Sequence, residues 1–187
     1  MSFSTKSILA SLAICVVAVS GLAINTPGEC PAATVEQNFD FQKFLGRWYQ
    51  YSSYSPVEPG KCDTHDYTDY KNGTFGFNEI TFLPEKNQQE STAGLLYSAN
   101  EAGDGKLLIT YPQYGNVPRN YYVLGTDYDH FAVVWSCRSD GSKARQTAWI
   151  ITRERQPTVA VIASANAVVD QSGIAKDFVL TDQSNCA

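Results

Sequence analysis

Between positions 46 and 153 the chain repeats one pattern eight times: a short aromatic or β-branched segment, then a turn residue. The segments are 46–55, 62–71, 74–82, 91–98, 106–111, 119–125, 131–138 and 146–153, each followed within a few residues by Gly, Pro, Asn or Asp. Asn72-Gly73, a preferred hairpin dipeptide, separates the second from the third. Eight short sequential strands leave two main architectures, a sandwich of two sheets or an up-and-down barrel.

The last strands narrow the choice. Phe131-Ala132-Val133-Val134-Trp135 and Ala148-Trp149-Ile150-Ile151 are apolar at both parities, so both faces must be covered. A helix predicted over 157–169 can supply the outer cover. There Val159, Ile162, Asn166 and Val169 recur at helical spacing, joined by Val161, Ala165 and Val168. Pro157 suits the first turn and Gly173 a C-terminal stop. The β-branched Thr158-Val159 and Val161 make a short strand the competing reading. The helix is expected to fold back over the last two strands, and 178–181 reads as a ninth strand or an extended tail.

The first residues read differently. Lys6 is the only charge before Glu29, an apolar run follows it, and Gly21-Leu22-Ala23 offers small residues. This is the pattern of a signal peptide, 1–23, cleaved after Ala23, leaving a single secreted domain, 24–187. An uncleaved membrane anchor is the alternative, for which the run is short. The chain carries a net charge of −5, more negative once Lys6 leaves, so it has no electrostatic reason to seek nucleic acid or anionic lipid. Cys15 departs with the leader. Cys30, Cys62, Cys137 and Cys186 remain, and in an exported chain they imply two disulfides with three connectivities open. Zinc is the competing reading, but no two of these cysteines are closely spaced and His65 and His130 are the only imidazoles. No metal site is expected.

Three motifs sit on this frame. Gly46-Arg47-Trp48-Tyr49 opens the first strand, Thr126-Asp127-Tyr128 joins the sixth to the seventh, and Arg153 ends the eighth. Asn38-Phe39-Asp40-Phe41 precedes the series and Gly60-Lys61-Cys62 opens the second strand. This set resembles the lipocalin family, and within it the branch of insect bilin-binding proteins, insecticyanins and apolipoprotein D. The resemblance implies an all-β fold, an eight-stranded antiparallel up-and-down barrel with one C-terminal α-helix packed outside. It implies a carrier of a small hydrophobic molecule rather than an enzyme. It also implies that Trp48 plugs the closed end with Arg153 across it, and that Cys30 pairs with Cys137 and Cys62 with Cys186. The loop over 55–61 and the helix both look shorter than the bilin-binding pattern.

Strand alternation from these anchors gives an expected interior. Trp48 inward carries Gln50, Ser52 and Tyr54 with it. Arg153 inward carries Trp149, Thr147 and Arg145. An outward Cys137 turns Val134, Ser136 and Arg138 inward. The family register adds Arg119, Tyr121 and Val123, then Leu108 and Thr110, and lastly Asn78 and Ile80. Aromatic walls with basic groups toward the mouth suit a flat conjugated molecule bearing carboxylates, such as non-covalent biliverdin. A carotenoid, retinoid, sterol or fatty acid are the other readings. Asn72-Gly73-Thr74 is also a glycosylation sequon, against which stands an unmodified turn. No nucleophile elbow, zincin helix, phosphate loop or dinucleotide fingerprint is present, so no catalytic residue is expected. His65 is read as polar and near the mouth, and Asp63, Asp66 and Asp69 as a solvated face. A homo-oligomer is left open.

Overall fold

The structure, a computed structural model, describes residues 23–54 and 60–186. The expected leader therefore lies outside the described residues up to position 22, as does most of the 55–61 loop. Ten strands form one sheet: β1 (Ile24–Pro27), β2 (Gly46–Tyr54), β3 (Lys61–Asp69), β4 (Phe75–Leu83), β5 (Gln88–Ser98), β6 (Lys106–Thr110), β7 (Arg119–Thr126), β8 (Phe131–Ser139), β9 (Lys143–Thr152) and β10 (Phe178–Leu180). Every strand from β2 to β9 pairs antiparallel with the next, and β9 closes back on β2 through Tyr49↔Thr152 and Gln50↔Ile151. The result is an eight-stranded barrel, the second of the two architectures the sequence leaves open.

The seam between β2 and β9 holds only part of the way. The rim of β9 pairs instead with β1 through Gln146–Lys143, while Ser52–Tyr54 of β2 also pair with β10 along the edge opposite β9, where β3 has ended. Segment 178–181 is thus a strand, while β1 carries no pattern the sequence made legible. The Asn72-Gly73 connection is wider than a two-residue hairpin. Asp69 pairs with Phe75, and Tyr70 N–H reaches the Thr74 carbonyl at 3.2 Å across a turn with Lys71 and Gly73 in left-handed conformation.

Two apolar clusters explain why β8 and β9 are apolar at both parities. Ala132 and Val134 of β8 and Ile151 of β9 face the barrel interior. Val133 and Trp135 of β8, and Ala148 and Ile150 of β9, face outward against Ala165 and Val169 of α2 (Val159–Ser172). Thr158 caps α2 by accepting Val161 N–H, and Gly173 ends it at φ +77°. The helix packs chiefly on β7 and β8, one strand earlier than expected. Its inner face is Ala165, Val169 and Ser172, whereas Val159 is 88% exposed.

The base of the barrel is plugged by aromatics. A four-residue helix, α1 (Phe41–Phe44), is capped by Asp40 and lays Phe44 against Trp48 (ring centroids 5.0 Å) and Tyr67 (4.9 Å). Trp48 Nε1–H donates to the Phe44 carbonyl at 2.9 Å. Arg153 closes the plug from outside, its guanidinium 3.7 Å from the Trp48 ring centroid. Gly46 stands at φ +92°, and a Cβ there would come 3.5 Å from Arg153 Nη1, so glycine in this motif serves the backbone turn. In the Thr126-Asp127-Tyr128 turn, Asp127 accepts the His130 and Phe131 N–H groups at 2.8 and 3.0 Å. Tyr128 hydroxyl takes Asp40 N–H at 2.9 Å, which ties this turn to the plug.

Candidate functional site

With the base sealed, the space left lies toward the mouth, where the β6–β7 and β8–β9 connections open. A cavity of about 370 Å³ is bounded there by β4 to β9, near the lower limit of ordinary ligand pockets (about 300–1,000 Å³). Tyr121 and Trp149 form its back wall, stacked at 6.1 Å with 28° between planes. Tyr111, Tyr114 and Ile109 form one side. Arg119, Arg138 and Arg145 stand on β7, β8 and β9 near the rim ends of those strands. The Arg119 guanidinium lies 5.9 Å from the Tyr111 ring centroid. Trp149 Nε1–H is enclosed without a partner among the described residues, a donor free for an acceptor on a guest.

Of the residues expected inside, Arg119, Tyr121, Ser136, Arg138, Arg145, Thr147 and Trp149 line this cavity. Gln50, Val123 and Val134 also lie on the inner side but sit beside or below the cavity. Six expected residues face the other way. A register shift between Gln50 and Ser52 inserts an extra residue into β2, so Ser52 pairs with the outward Ile150 and Tyr54 enters the outer cluster. Tyr54 hydroxyl donates to the Ala175 carbonyl at 2.7 Å and its ring meets Phe178, which places it against the tail. Ser53 takes the inward position that alternation alone would give Ser52. On β4, Phe77 and Glu79 point in, so Asn78 and Ile80 point out, with Asn78 taking the Ser91 hydroxyl at 2.6 Å. On β6, Leu107 and Ile109 point in, so Leu108 and Thr110 point out. Phe75 and Phe77, alternating with Gly76 and Asn78, carried the β4 parity in the sequence.

The floor of the cavity is polar, and sequence reasoning missed it. His65 is fully buried in mid-barrel rather than near the mouth, flanked by Phe77 and Trp149. Its Nε2 stands 3.3 Å from Gln50 Oε1 and 3.7 Å from the Glu79 carboxylate. Asp63 is only 7% exposed, not solvated: an irregularity after Lys61, with Cys62 at φ +63°, turns it inward. There it accepts the Thr81 hydroxyl and faces Gln50 Nε2 at 3.4 Å. Asp66 lies outside in a two-pronged pair with Arg47 (2.7 and 2.8 Å), and Asp69 pairs with Lys71. Burial, reinforced by the nearby Asp63, lifts Glu79 to about 7, while burial drives His65 down to about 3. Below the floor Tyr67 and Tyr121 share a 2.6 Å hydroxyl contact, and burial raises both, so they stay neutral.

Covalent links hold the rim. Cys30 is bonded to Cys137 and Cys62 to Cys186, across 107 and 124 residues of sequence. All cysteines among the described residues are thereby paired, and no group of three or more His, Cys, Asp or Glu among them could hold a metal ion. No helix among the described residues is long and apolar enough to cross a membrane.

Residues 45–185 match the model of the lipocalin / cytosolic fatty-acid binding protein family. Lazarillo protein of Schistocerca americana is 30% identical over 76% of this chain and 68% of its own. Apolipoprotein D of Macaca fascicularis is 30% identical over 85% of each chain. Among solved structures, insecticyanin of the tobacco hornworm Manduca sexta superposes with a TM-score of 0.74 at 22% identity, covering 87% of this chain and 90% of the other.

Proposed function

This chain belongs to the lipocalin family, and on that premise we propose that it is a secreted carrier whose barrel holds a biliverdin-type tetrapyrrole without a covalent bond. The observation that carries the reading is the pairing of the Tyr121–Trp149 wall with Arg119, Arg138 and Arg145 toward the mouth. A flat conjugated chain stacks on aromatic faces, and its carboxylates meet guanidiniums that hold two oxygens at once. A cavity of about 370 Å³ takes the middle of such a molecule and leaves its acid arms at the rim. Two disulfides support an exported protein, since such bonds persist in oxidising compartments.

Carriage rather than catalysis is supported by the same inventory. The described cysteines are tied up in bridges, and the one buried imidazole faces a carboxyl with no hydroxyl or thiol nucleophile beside it. Addition of biliverdin to the purified protein is expected to give a stoichiometric red-region absorbance band and to quench tryptophan emission. Absence of both at micromolar concentration sinks the pigment reading. The modest cavity volume favours one second reading, a smaller lipid, sterol or retinoid in the manner of an apolipoprotein D-like carrier. Stoichiometric binding of retinol, read by tryptophan quenching, with no binding of biliverdin, decides for it.

A further inference from the structure

A guest that is apolar throughout needs no polar floor, yet this cavity has one. Glu79 lines it from β4, and its neighbour in register on β3 is His65. Gln50 and Asp63 behind them are occupied: Gln50 Nε2 donates to Thr181 at 2.8 Å, and Asp63 accepts the Thr81 hydroxyl. Glu79 is not. Among the described residues its carboxylate meets no hydrogen-bond donor except the imidazole at 3.7 Å, which is beyond hydrogen-bond length. His65 Nδ1 is likewise enclosed with no partner among the described residues, on a side chain with no exposed surface. Glu79, whose side chain keeps 21% of its surface open, thus brings an unpaired carboxylate to the cavity beneath an aromatic wall, with the His65 ring behind it. An unpaired acceptor in such a place marks where a donor belongs.

We infer that Glu79, backed by His65, is a floor subsite that receives an N–H or O–H group at the leading end of the guest, opposite the arginine rim that takes its anionic end. The inference rests on the carrier reading and adds polarity to it: the guest enters donor first and acid last. A saturated fatty acid, whose leading end is a methyl group, is therefore a poor fit. Pyrrole or lactam N–H groups of an open-chain tetrapyrrole, or the hydroxyl of a retinoid, fit the floor.

The groups around Glu79 fix how binding depends on pH. From β3 it faces His65, Asp63 and Tyr67. From just after β6 and from β7 it feels Tyr111 and Tyr121, both raised by burial and neutral. Arg119, Arg138 and Arg145 share the cavity with it. Glu79, held near 7, is the group that changes state between pH 6 and 8, since His65 titrates far below. A donor on the guest binds the ionised carboxylate better than the acid, so a donor-bearing guest tightens as pH rises.

The test is biliverdin affinity at pH 6 and pH 8, read by red-region absorbance, in the wild type and in Glu79→Gln. The wild type is expected to bind about tenfold tighter at pH 8, following the ionised fraction of a group near 7. Glu79→Gln, close in shape, is expected to lose that dependence. Arg138→Gln is expected to weaken binding alike at both pH values and to keep the slope. Binding with the same slope in wild type and Glu79→Gln overturns the floor subsite and leaves the pigment carrier standing. If biliverdin fails to bind at either pH, the pigment reading fails, and retinol against palmitate, read by tryptophan quenching, decides the floor instead. Retinol must then show the Glu79-dependent rise and palmitate none; equal behaviour of the two overturns it.

Discussion

Arg153 and Trp48 close the base of the barrel as one unit. The guanidinium lies 3.7 Å from the indole centroid while donating to four backbone carbonyls, those of Lys43, Leu45, Arg47 and Tyr128, at 2.9–3.0 Å. One side chain thereby joins α1, the start of β2 and the β7–β8 turn. Arg153→Ala removes the cation–π contact and leaves those carbonyls to find water, an expected loss of about 2–4 kcal/mol. Arg153→Lys is expected to recover little, because an ammonium cannot address four diverging carbonyls. Urea unfolding midpoints of the three proteins measure this, and equal midpoints refute it.

The buried acid and imidazole bend the stability profile in opposite senses. Glu79, raised from 4.5 to about 7, favours its neutral form in the fold, so its contribution is complete below pH 4.5 and is lost as pH rises through 7. Asp63, also raised by burial, acts in the same sense. His65, lowered from 6.5 to about 3, contributes fully above pH 6.5 and loses that contribution as pH falls toward 3. Glu79→Gln should therefore gain about 2–3 kcal/mol on the wild type between pH 4.5 and 7.5. A difference between the two that is flat across this range would contradict the buried-carboxyl assignment.

Each disulfide closes more than a hundred residues, for which chain entropy alone predicts about 4–5 kcal/mol. Purified native protein should show no titratable thiol before reduction. A Cys62→Ser, Cys186→Ser double variant should unfold at markedly lower urea, and the loss should be read with the Cys30–Cys137 bridge intact. Two free thiols in unreduced protein would defeat the scheme.

Gly105 is held between two backbones. A Cβ there would stand 2.3 Å from the Val123 carbonyl, while Gly105 N–H donates to Glu36 at 2.7 Å. Gly105→Ala must push residue 105 off the Val123 carbonyl of β7, an expected cost of about 1–3 kcal/mol by thermal melting. An unchanged melting temperature would show that this contact gives way freely.

Asn72 is exposed on its turn, with Oδ1 accepting Thr74 N–H at 3.0 Å. Protein recovered from a eukaryotic secretory host is expected to carry an N-linked glycan there. Its mass should fall on glycosidase treatment, and Asn72→Gln should lack the increment; an unmodified mass rejects the site.

The barrel was legible because its eight strands are bounded by turn chemistry and its base by motifs with fixed roles. Inner and outer faces were legible where an anchor stood on the same strand with no bulge between, and on β7, where the family register turned Arg119, Tyr121 and Val123 inward. Arg153 oriented β9 and Cys137 oriented β8, and the residues derived from them all face inward, every one but Val134 lining the cavity. Trp48 oriented β2 only as far as Gln50, where the extra residue reverses Ser52 and Tyr54. β4 and the five-residue β6 carry no motif anchor, and alternation there is one residue out of phase with the fold, which hid Glu79 and Ile109; on β4 the Phe75/Phe77 alternation was the signal that gives the right phase. The acidic floor was illegible for a further reason: Asp63-x-His65 reads as surface until Cys62 and its irregular pairing turn it inward. Helix α1 has four residues, too few for a periodic signal.

The partial seam between β2 and β9 moves an old hazard of sheets to a new place. A fully wrapped sheet offers a stranger no backbone to pair with, but at the lip this one ends in β1 and β10, each with one unpaired side among the described residues. Both are short, four and three residues, and β1 finishes in Pro27, so neither can template a long foreign strand. What the lip does present is Val179 and Leu180, 45% and 69% exposed, as the greasiest stretch of that margin. That apolar margin stands at the rim end of β2, the end farthest from the Trp48 plug.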